Sequence, residues 1–588
     1  MKKLLILSTL GLLSVGLFSQ PVAPVSDIKN AAVGFDEFAS DYNSEDGFKL
    51  SNKKITIGES SEVKVSPTFV QFGQTTYEGH DVYVVRYATA VKGDISSISY
   101  QRGKVEGKND VAAKEVEVLY NGISAGGETY YYDETINDVS TDEALKGQYY
   151  WACYTIRYLN GDFFGADVPL TISVNEEEFQ TRTTSFDALY PEDGSETYPY
   201  LINTDEEWQA VIDEVNAYTL SEGEENIYVG EEKYYKLVNN INQTEVLGKD
   251  YIYFASVIDG NGYTITANIS VDGERAALIN RTSKMNVIKN LKLEGSISST
   301  NAVEYNGAFV AASYGNLDNC VNNANLTFEF ETEPTIAGGT GGIVGFVSAN
   351  GSVNDCVNDG TITTNIPRVG GIVGRTKGDI TNCTNNGQLI CDRTVGGIVG
   401  HIDGSGDITN CKNTAEVIGK DQYVAGIAGY SKNGSVFSCT NEGKVTSTSS
   451  EVAGILGYGE GTVTVDSCTN NGDVNGTQSV AGIFAYAKGG TLVVKNSINK
   501  GNVQGTKVHV GSIVGMLGSG NSILDCYNYG LVASSSTNAT AAGSIVGSTY
   551  SNNIITNCHT IVIDGLDFVG NNTKATTTFE CFADLVNE

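Results

Sequence analysis

Proline and methionine are scarce in this chain, at 8 and 3 of 588 residues, and histidine occurs only 4 times. Glycine, at 68, is abundant. That balance favours many short strands joined by tight turns over long helices. No H-E-x-x-H occurs, so the helical zinc-peptidase motif is excluded. No C-x-x-C occurs among the 11 cysteines, which removes the usual zinc spacings; no metal and no cofactor is expected. Positive charge is also short: 37 Lys and Arg against 70 Asp and Glu leave a net charge of -33. Such a chain has too few cations to neutralise phosphates in number, which argues against nucleic acid and against an anionic membrane surface.

The start of the chain reads as a processing segment. Lys2 and Lys3 precede an apolar run from Leu4 to Phe18, followed by Ser19, Gln20 and Pro21. A short charged stretch followed by an apolar one of this length is the signal-peptide pattern, assigned to residues 1–22, with Ser19 and Ala23 as candidate cleavage points. No cysteine lies nearby to carry a lipid anchor. No later run is long enough to span a bilayer, so the mature chain is expected to be secreted or at the cell surface, with no membrane insertion after cleavage.

Residues 23–54 read as a lead-in. Across 55–178 the pattern turns to strands: residues 81–87, 116–120 and 149–158 are rich in β-branched and aromatic side chains. Several such strands between polar turns suggest an antiparallel sandwich of immunoglobulin-like type. Cys153 has no cysteine partner in this stretch, so the inter-sheet disulfide of antibody domains is lacking. A spacer or docking module is the simplest role. Residues 179–233 form a linker and one helix. Thr204 and Glu207 stand as a capping box, and Trp208, Val211, Ile212 and Val215 fall on one face. A helix ahead of a solenoid is expected to cover the open first coil; a separate binding helix is the alternative.

What dominates the sequence is a repeat. Gly370-Gly371-Ile372-Val373-Gly374, then Ile380-Thr381-Asn382-Cys383-Thr384-Asn385-Asn386-Gly387, returns about every 28 residues. One column holds Leu278, Phe309, Ile343, Ile372, Ile398, Ile427, Ile455, Ile483, Ile513 and Ile545. A second runs from Leu291 through Cys320, Cys356, Cys383, Cys411, Cys439 and Cys468 to Ser497, Cys526 and Cys558; an asparagine column lies two residues further on and a glycine column two beyond that. Each repeat offers three short strand-like pieces and no room for a helix, so residues 234–569 are read as a parallel β-helix, right-handed by the crossover preference. Ten coils stacked about 4.8 Å apart give a rod of roughly 50 Å. The whole chain is thus expected to be all-β, a sandwich followed by this solenoid, with residues 570–588 folding over its last coil as a C-terminal cap.

The columns have mechanical readings. Cysteine and asparagine two apart share a face, and both are placed inward. Stacked cysteines act as small hydrophobes, and stacked asparagines as an amide ladder. Leu291 and Ser497 in the cysteine slot favour packed thiols over disulfides. Glycine answers a turn of positive φ or a close backbone approach.

These phrases, with the upstream run from Tyr198 to Thr204, Tyr235-Lys236-Leu237, Asp259-Gly260-Asn261-Gly262 and Ile288-Lys289-Asn290-Leu291, resemble GLUG-type repeats over about residues 194–565. Such repeats occur in exported bacterial surface proteins, including regions ahead of the catalytic part of immunoglobulin-cleaving metallopeptidases. The resemblance implies a surface or adhesin-like role, with a glycan, or a protein on a host or neighbouring cell, as partner.

Two further readings compete. Parallel β-helices also carry polysaccharide lyases and glycoside hydrolases, whose sites need clustered carboxylates or carboxylates beside cations. Arg375, Lys377, Asp379, Arg393, His401, Asp403 and Asp407 are the local candidates, yet none recurs as a focused pair, and no catalytic residue is assigned. A purely structural stalk is the other alternative. The candidate ligand surface is an aromatic column, Phe346, Tyr430, Tyr458 and Tyr486, interrupted by Arg375 and His401. Exposed aromatic faces can hold sugar rings; stacked aromatics also stabilise a β-helix face unaided.

Overall fold

The computed structural model describes residues 194–585 apart from 197–198, 222–223, 274, 302–303, 330–337, 366, 392–393, 538–541 and 573–577, together with the backbone of seven strands between Lys64 and Arg182. The expected signal segment and lead-in lie outside these residues. The chain divides into two compact units, one of residues 1–203 with 236–239, the other of 204–235 with 240–588.

The first unit carries two antiparallel sheets. In one, Lys64–Tyr77, His80–Lys92, Tyr150–Tyr158 and Val116–Ile123 lie side by side in that order. In the other, Ile98–Arg102, Pro169–Val174 and Glu177–Arg182 are neighbours. The strand-forming runs at 81–87, 116–120 and 149–158 each lie within one of these strands. The immunoglobulin-like packing expected of them depends on side chains outside the described residues.

The second unit is a parallel β-solenoid of about 11 turns. Its helix, Asp205–Asn216, starts where Thr204 accepts from the Glu207 N–H and Glu207 accepts from the Thr204 N–H, both at 3.2 Å. Trp208, Val211, Ile212 and Val215 are all buried. Specific bonds hold the helix to the first coil. The Trp208 indole donates to Gln243 Oε1 at 2.9 Å, and Gln243 passes a hydrogen on to the Leu278 carbonyl at 2.8 Å. Asp205 accepts from the Asn242 backbone and side chain, and Asn216 bonds to Val246 and Gly248. Among the described residues no helix is long and apolar enough to cross a membrane.

One coil shows how the repeat folds. Val369–Gly370, Val373–Thr376, Ile380–Thr381, Thr384–Asn385 and Leu389–Cys391 each pair in parallel with their counterparts on the coils before and after. Five short strands replace the three expected, because both repeated phrases contain a corner. The second corner sits at Asn382, with φ 57°. The same position carries φ between 51° and 57° at Asn290, Asn319, Asp355, Asn410, Ser438, Ser467, Asn496, Asp525 and Asn557. Asparagine and aspartate tolerate this left-handed region better than other residues with a Cβ. Of the two alternatives for the glycine column, positive φ holds only at Gly295, at 93°. The other glycines there answer the close approach: a Cβ on Gly387 would lie 2.0 Å from the Gly360 carbonyl oxygen, and one on Gly443 1.8 Å from that of Ala415.

Cysteine and asparagine both face inward, as expected: Cys383 and Asn385 are fully buried. The ladder runs without a break from Asn322 through Asn358, Asn385, Asn413, Asn441, Asn470 and Asn499 to Asn528, each Nδ2 donating to the next Oδ1 at 2.7–2.9 Å. The second amide hydrogen of each goes to a carbonyl two residues along its own coil, as from Asn441 to Gly443 at 2.8 Å. The cysteines of this column are free thiols; Cys383 Sγ donates to the Thr381 carbonyl, and Cys411 Sγ accepts from the Cys383 N–H. Beyond Ile545 the column gains Phe568, whose carbonyl accepts from the Ile545 N–H at 3.0 Å. The C-terminal segment lies along the coil before it rather than folding across its end: Thr578–Leu585 pairs in parallel with Ile554–Ile561 and adds a strand to the ladder.

Candidate functional site

If the repeated letters build the core, a site must lie in positions that differ from coil to coil. The strands after the first corner supply one such line. Their register places Phe346 beside Arg375, Arg375 beside His401, His401 beside Tyr430, Tyr430 beside Tyr458, and Tyr458 beside Tyr486. The four aromatic candidates and the two residues that interrupt them therefore form one continuous file.

The rings do not present their faces to solvent. His401 stacks on Tyr430 at 4.3 Å, Tyr430 on Tyr458 at 5.2 Å with 15° between planes, and Tyr305 on Phe346 at 4.9 Å. Tyr458 turns edge-on to Tyr486, at 88°. Phe346 and Tyr458 are buried, at 8% and 6% exposure. Of the two readings of this column, mutual stacking is the one seen at His401, Tyr430 and Tyr458: parallel strands about 4.8 Å apart bring neighbouring rings to stacking distance, while Tyr486 meets Tyr458 edge-on. Ring edges and polar tips remain.

A second file lies alongside, and the sequence reading missed it. Tyr305, Arg368, Thr394, Tyr423, Glu451, Ser479 and His509 each immediately precede, or in the case of Tyr305 begin, a strand of a separate nine-stranded parallel sheet. From Arg368 to His509 all have φ between 47° and 66°, a corner conformation that turns their side chains toward the first file. Tyr423 reaches Tyr430 and Tyr458, with centroids 5.7 and 4.7 Å away. The signal was available: these residues stand four positions before the isoleucine of each repeat.

The polar tips divide by sign along the strip. At one end, Arg368 Nε donates to His401 Nδ1 at 3.3 Å. Arg375 pairs with Asp403, reaches the Tyr305 hydroxyl at 3.4 Å and lies 5.9 Å from the Phe346 ring centroid. Burial first, then the charges of Arg368 and Arg375, lower His401 to a pKa of about 3. Burial and the neighbouring Arg375 also bring Arg368 below its ordinary value. Burial would raise Asp403, but the Arg375 hydrogen bond and charge outweigh it and hold the carboxylate low. At the other end, the Tyr430 hydroxyl donates to Glu460 at 2.7 Å, Lys488 lies 3.6 Å from the same carboxylate, and its ammonium stands 5.9 Å from the Tyr458 centroid. Burial, then the bond to Glu460, push the Tyr430 phenol up; that same bond holds Glu460 down.

The remaining enzyme candidates include two neighbouring carboxylates on successive coils, Asp379 and Asp407; burial, and then the charge of Asp379, raise Asp407 above its ordinary value against the bond from Ser435. Asp379 accepts from the Asp407 N–H at 2.9 Å, and Asp407 accepts from the Ser435 N–H at 3.0 Å, so both carboxylates cap the backbone of the next coil. Lys377 is exposed, and its charge acts on Asp403. Arg393 lies outside the described residues. Among the described residues no group of three or more His, Cys, Asp and Glu is arranged to hold a metal ion.

Residues 393–418 match the family model described as the GLUG motif. No curated protein and no solved structure matches the chain.

Proposed function

We propose that this GLUG-type β-helix repeat protein is an exported, non-enzymatic surface protein, an adhesin whose solenoid contacts glycans along the double file. The observation that carries this reading is the division of labour between columns. Positions that repeat are buried and bonded to one another, whereas the strip from Tyr305 and Phe346 to Tyr486 changes along the axis, from Phe346, Arg375 and His401 to three successive tyrosines, and keeps partly exposed polar tips at Arg368, Arg375, Tyr430 and Tyr486. Successive rungs about 4.8 Å apart suit a polymer of sugar rings lying along the axis, met by ring edges, hydroxyls and charges. The N-terminal sheets are read as an immunoglobulin-like sandwich, and the coils as right-handed.

A binding role is favoured over a general-base site at His401 or Tyr430 by the state of those two groups. The lone pair of His401 Nδ1 is taken by Arg368, and the Tyr430 phenol is held protonated. General-base catalysis needs a free group with a pKa near the working pH. A glycan array with the wild type and a Tyr430→Ala, Tyr486→Ala double variant tests the reading, with binding expected to fall in the variant. Unchanged binding would remove the strip as the contact surface. New reducing ends or unsaturated products from incubated polysaccharide would favour the enzyme, and no ligand at all would leave a stalk.

A further inference from the structure

The cationic end of the strip carries a more specific reading, which rests on the glycan contact proposed above. Arg368, Arg375, Lys377 and Lys432 all act electrostatically on His401 or Asp403, and two carboxylates stand against these four cations: Asp403, held low and already bonded to Arg375, and Glu460, the strand neighbour of Lys432. The chain as a whole carries -33, so a local surplus of positive charge runs against the composition. Arg368 is half-buried. Its partners are the neutral His401 at 3.3 Å and the Gly338 carbonyl at 3.5 Å, and no carboxylate among the described residues pairs with it. Its neighbour Arg375 repels it more strongly than Asp403, already bonded to Arg375, attracts it. A partly desolvated guanidinium facing a second one, without its own counter-ion, is a poor arrangement for stability and a good one for capturing an anion.

His401 completes the arrangement. With Nδ1 accepting from Arg368, the neutral ring carries its proton on Nε2, so it adds a donor and no negative charge. Stacking on Tyr430 fixes the ring. Arg368, Arg375 and His401 therefore offer N–H donors beside an aromatic file, as recognition of a planar carboxylate requires.

We propose that Arg368, Arg375 and His401 form a subsite for the carboxylate of an acidic sugar, so that the preferred ligand is a uronate-bearing glycan rather than a neutral one. Sulfated sugars share the charge but not the planar geometry and serve as the discriminating arm.

The test uses the full chain and three probes of matched length: an oligogalacturonate, a neutral oligogalactan and a sulfated oligosaccharide. Titration calorimetry at two salt concentrations reads each. The oligogalacturonate is expected to bind at least about ten-fold more tightly than the neutral oligomer, a preference weakened by salt. Arg368→Asn suits the position, because asparagine tolerates its φ of 64°. It should cost the acidic probe about ten-fold or more and the neutral one several-fold less than that, while Tyr486→Ala weakens both to a similar extent. Arg368→Lys, which keeps the charge but not the fork, should recover part of the loss; near-ultraviolet circular dichroism checks each variant's fold. Equal binding of acidic and neutral probes, or tighter binding of the sulfated one, overturns the carboxylate subsite and leaves the glycan reading standing. Binding of none of the three overturns both.

Discussion

The side-chain amide of Asn385 donates to the Asn413 Oδ1 at 2.9 Å and gives its other hydrogen to the Gly387 carbonyl at 3.1 Å. Each inner asparagine thus spends both hydrogens, one along the axis and one within its own coil.

Removing one rung should therefore injure two neighbours. Asn441→Ala takes the acceptor from Asn413 and the donor from Asn470, all in a dry interior. Buried polar groups left without partners cost about 1–3 kcal/mol each, so a loss of about 2–4 kcal/mol is expected in denaturant melts. Asn386→Ala, on the exposed side of the equivalent turn two coils earlier, should stay within about 0.5 kcal/mol. Similar losses for the two would mean that the ladder contributes no more than a surface contact.

Gly443→Ala is expected to destabilise by about 1–3 kcal/mol or more, since the new Cβ would lie 1.8 Å from a backbone oxygen. Ala415, which stands in the same column, should accept glycine at a cost below about 1 kcal/mol. Thermal melts of both variants decide; if Gly443→Ala matches the wild type, the column is not set by close approach.

His401 gives the strip a pH signature. Its folded pKa of about 3 lies below the roughly 6.5 of an unperturbed imidazole. Under acidification the unfolded chain takes up this proton below about pH 6.5, and the folded chain only near 3. The stabilising contribution is full above about 6.5 and is lost progressively as pH falls through that window. Between about pH 7 and about pH 4, His401→Gln should lose less stability than the wild type. Equal losses, or a histidine resonance titrating near 6.5 at this residue, would refute it.

Cys439 is expected to tolerate serine better than alanine. Its Sγ donates to the Phe437 carbonyl and accepts from the Cys411 N–H, and Ser497 already makes the equivalent pair of bonds with Lys495 and Cys468. Serine should cost less than about 1.5 kcal/mol, whereas alanine leaves a buried N–H unpaired, worth about 1–3 kcal/mol. An alanine variant as stable as the serine one would show that the sulfur serves as volume alone.

The solenoid was legible because inward positions repeat: Ile372, Cys383 and Asn385 face the same neighbours on every coil, so each coil needs the same letter. The corners were not. Asn382 and its equivalents carry the left-handed bend but vary among asparagine, aspartate and serine, while the glycine column, itself broken by Ala415, marks the close approach instead. In the strip, the file from Phe346 to Tyr486 could be aligned from the repeat, since register follows spacing. Stacking of its rings was one of two readings open from the sequence; which rings stack and which meet edge-on was not legible, because that depends on side-chain torsions. Arg368 and Tyr423 escaped notice for a different reason: their positions are fixed by the corner, and their identities change at each coil.

The amide ladder also has a direction. Asn322 turns its oxygen back to its own Ala324 N–H, and every later rung points its donor toward the next coil. The series closes when Asn528 donates to the Thr560 hydroxyl, which in turn donates to the Ile561 carbonyl. Between those two terminators the coils are interchangeable tiles. Excising or duplicating one 28-residue unit, such as that between Asn385 and Asn413, rejoins a donor to an acceptor within the ladder. The length of the solenoid is thus free to change in whole steps, like a ruler cut at its graduations, while the identity of whatever it displays is set one tile at a time.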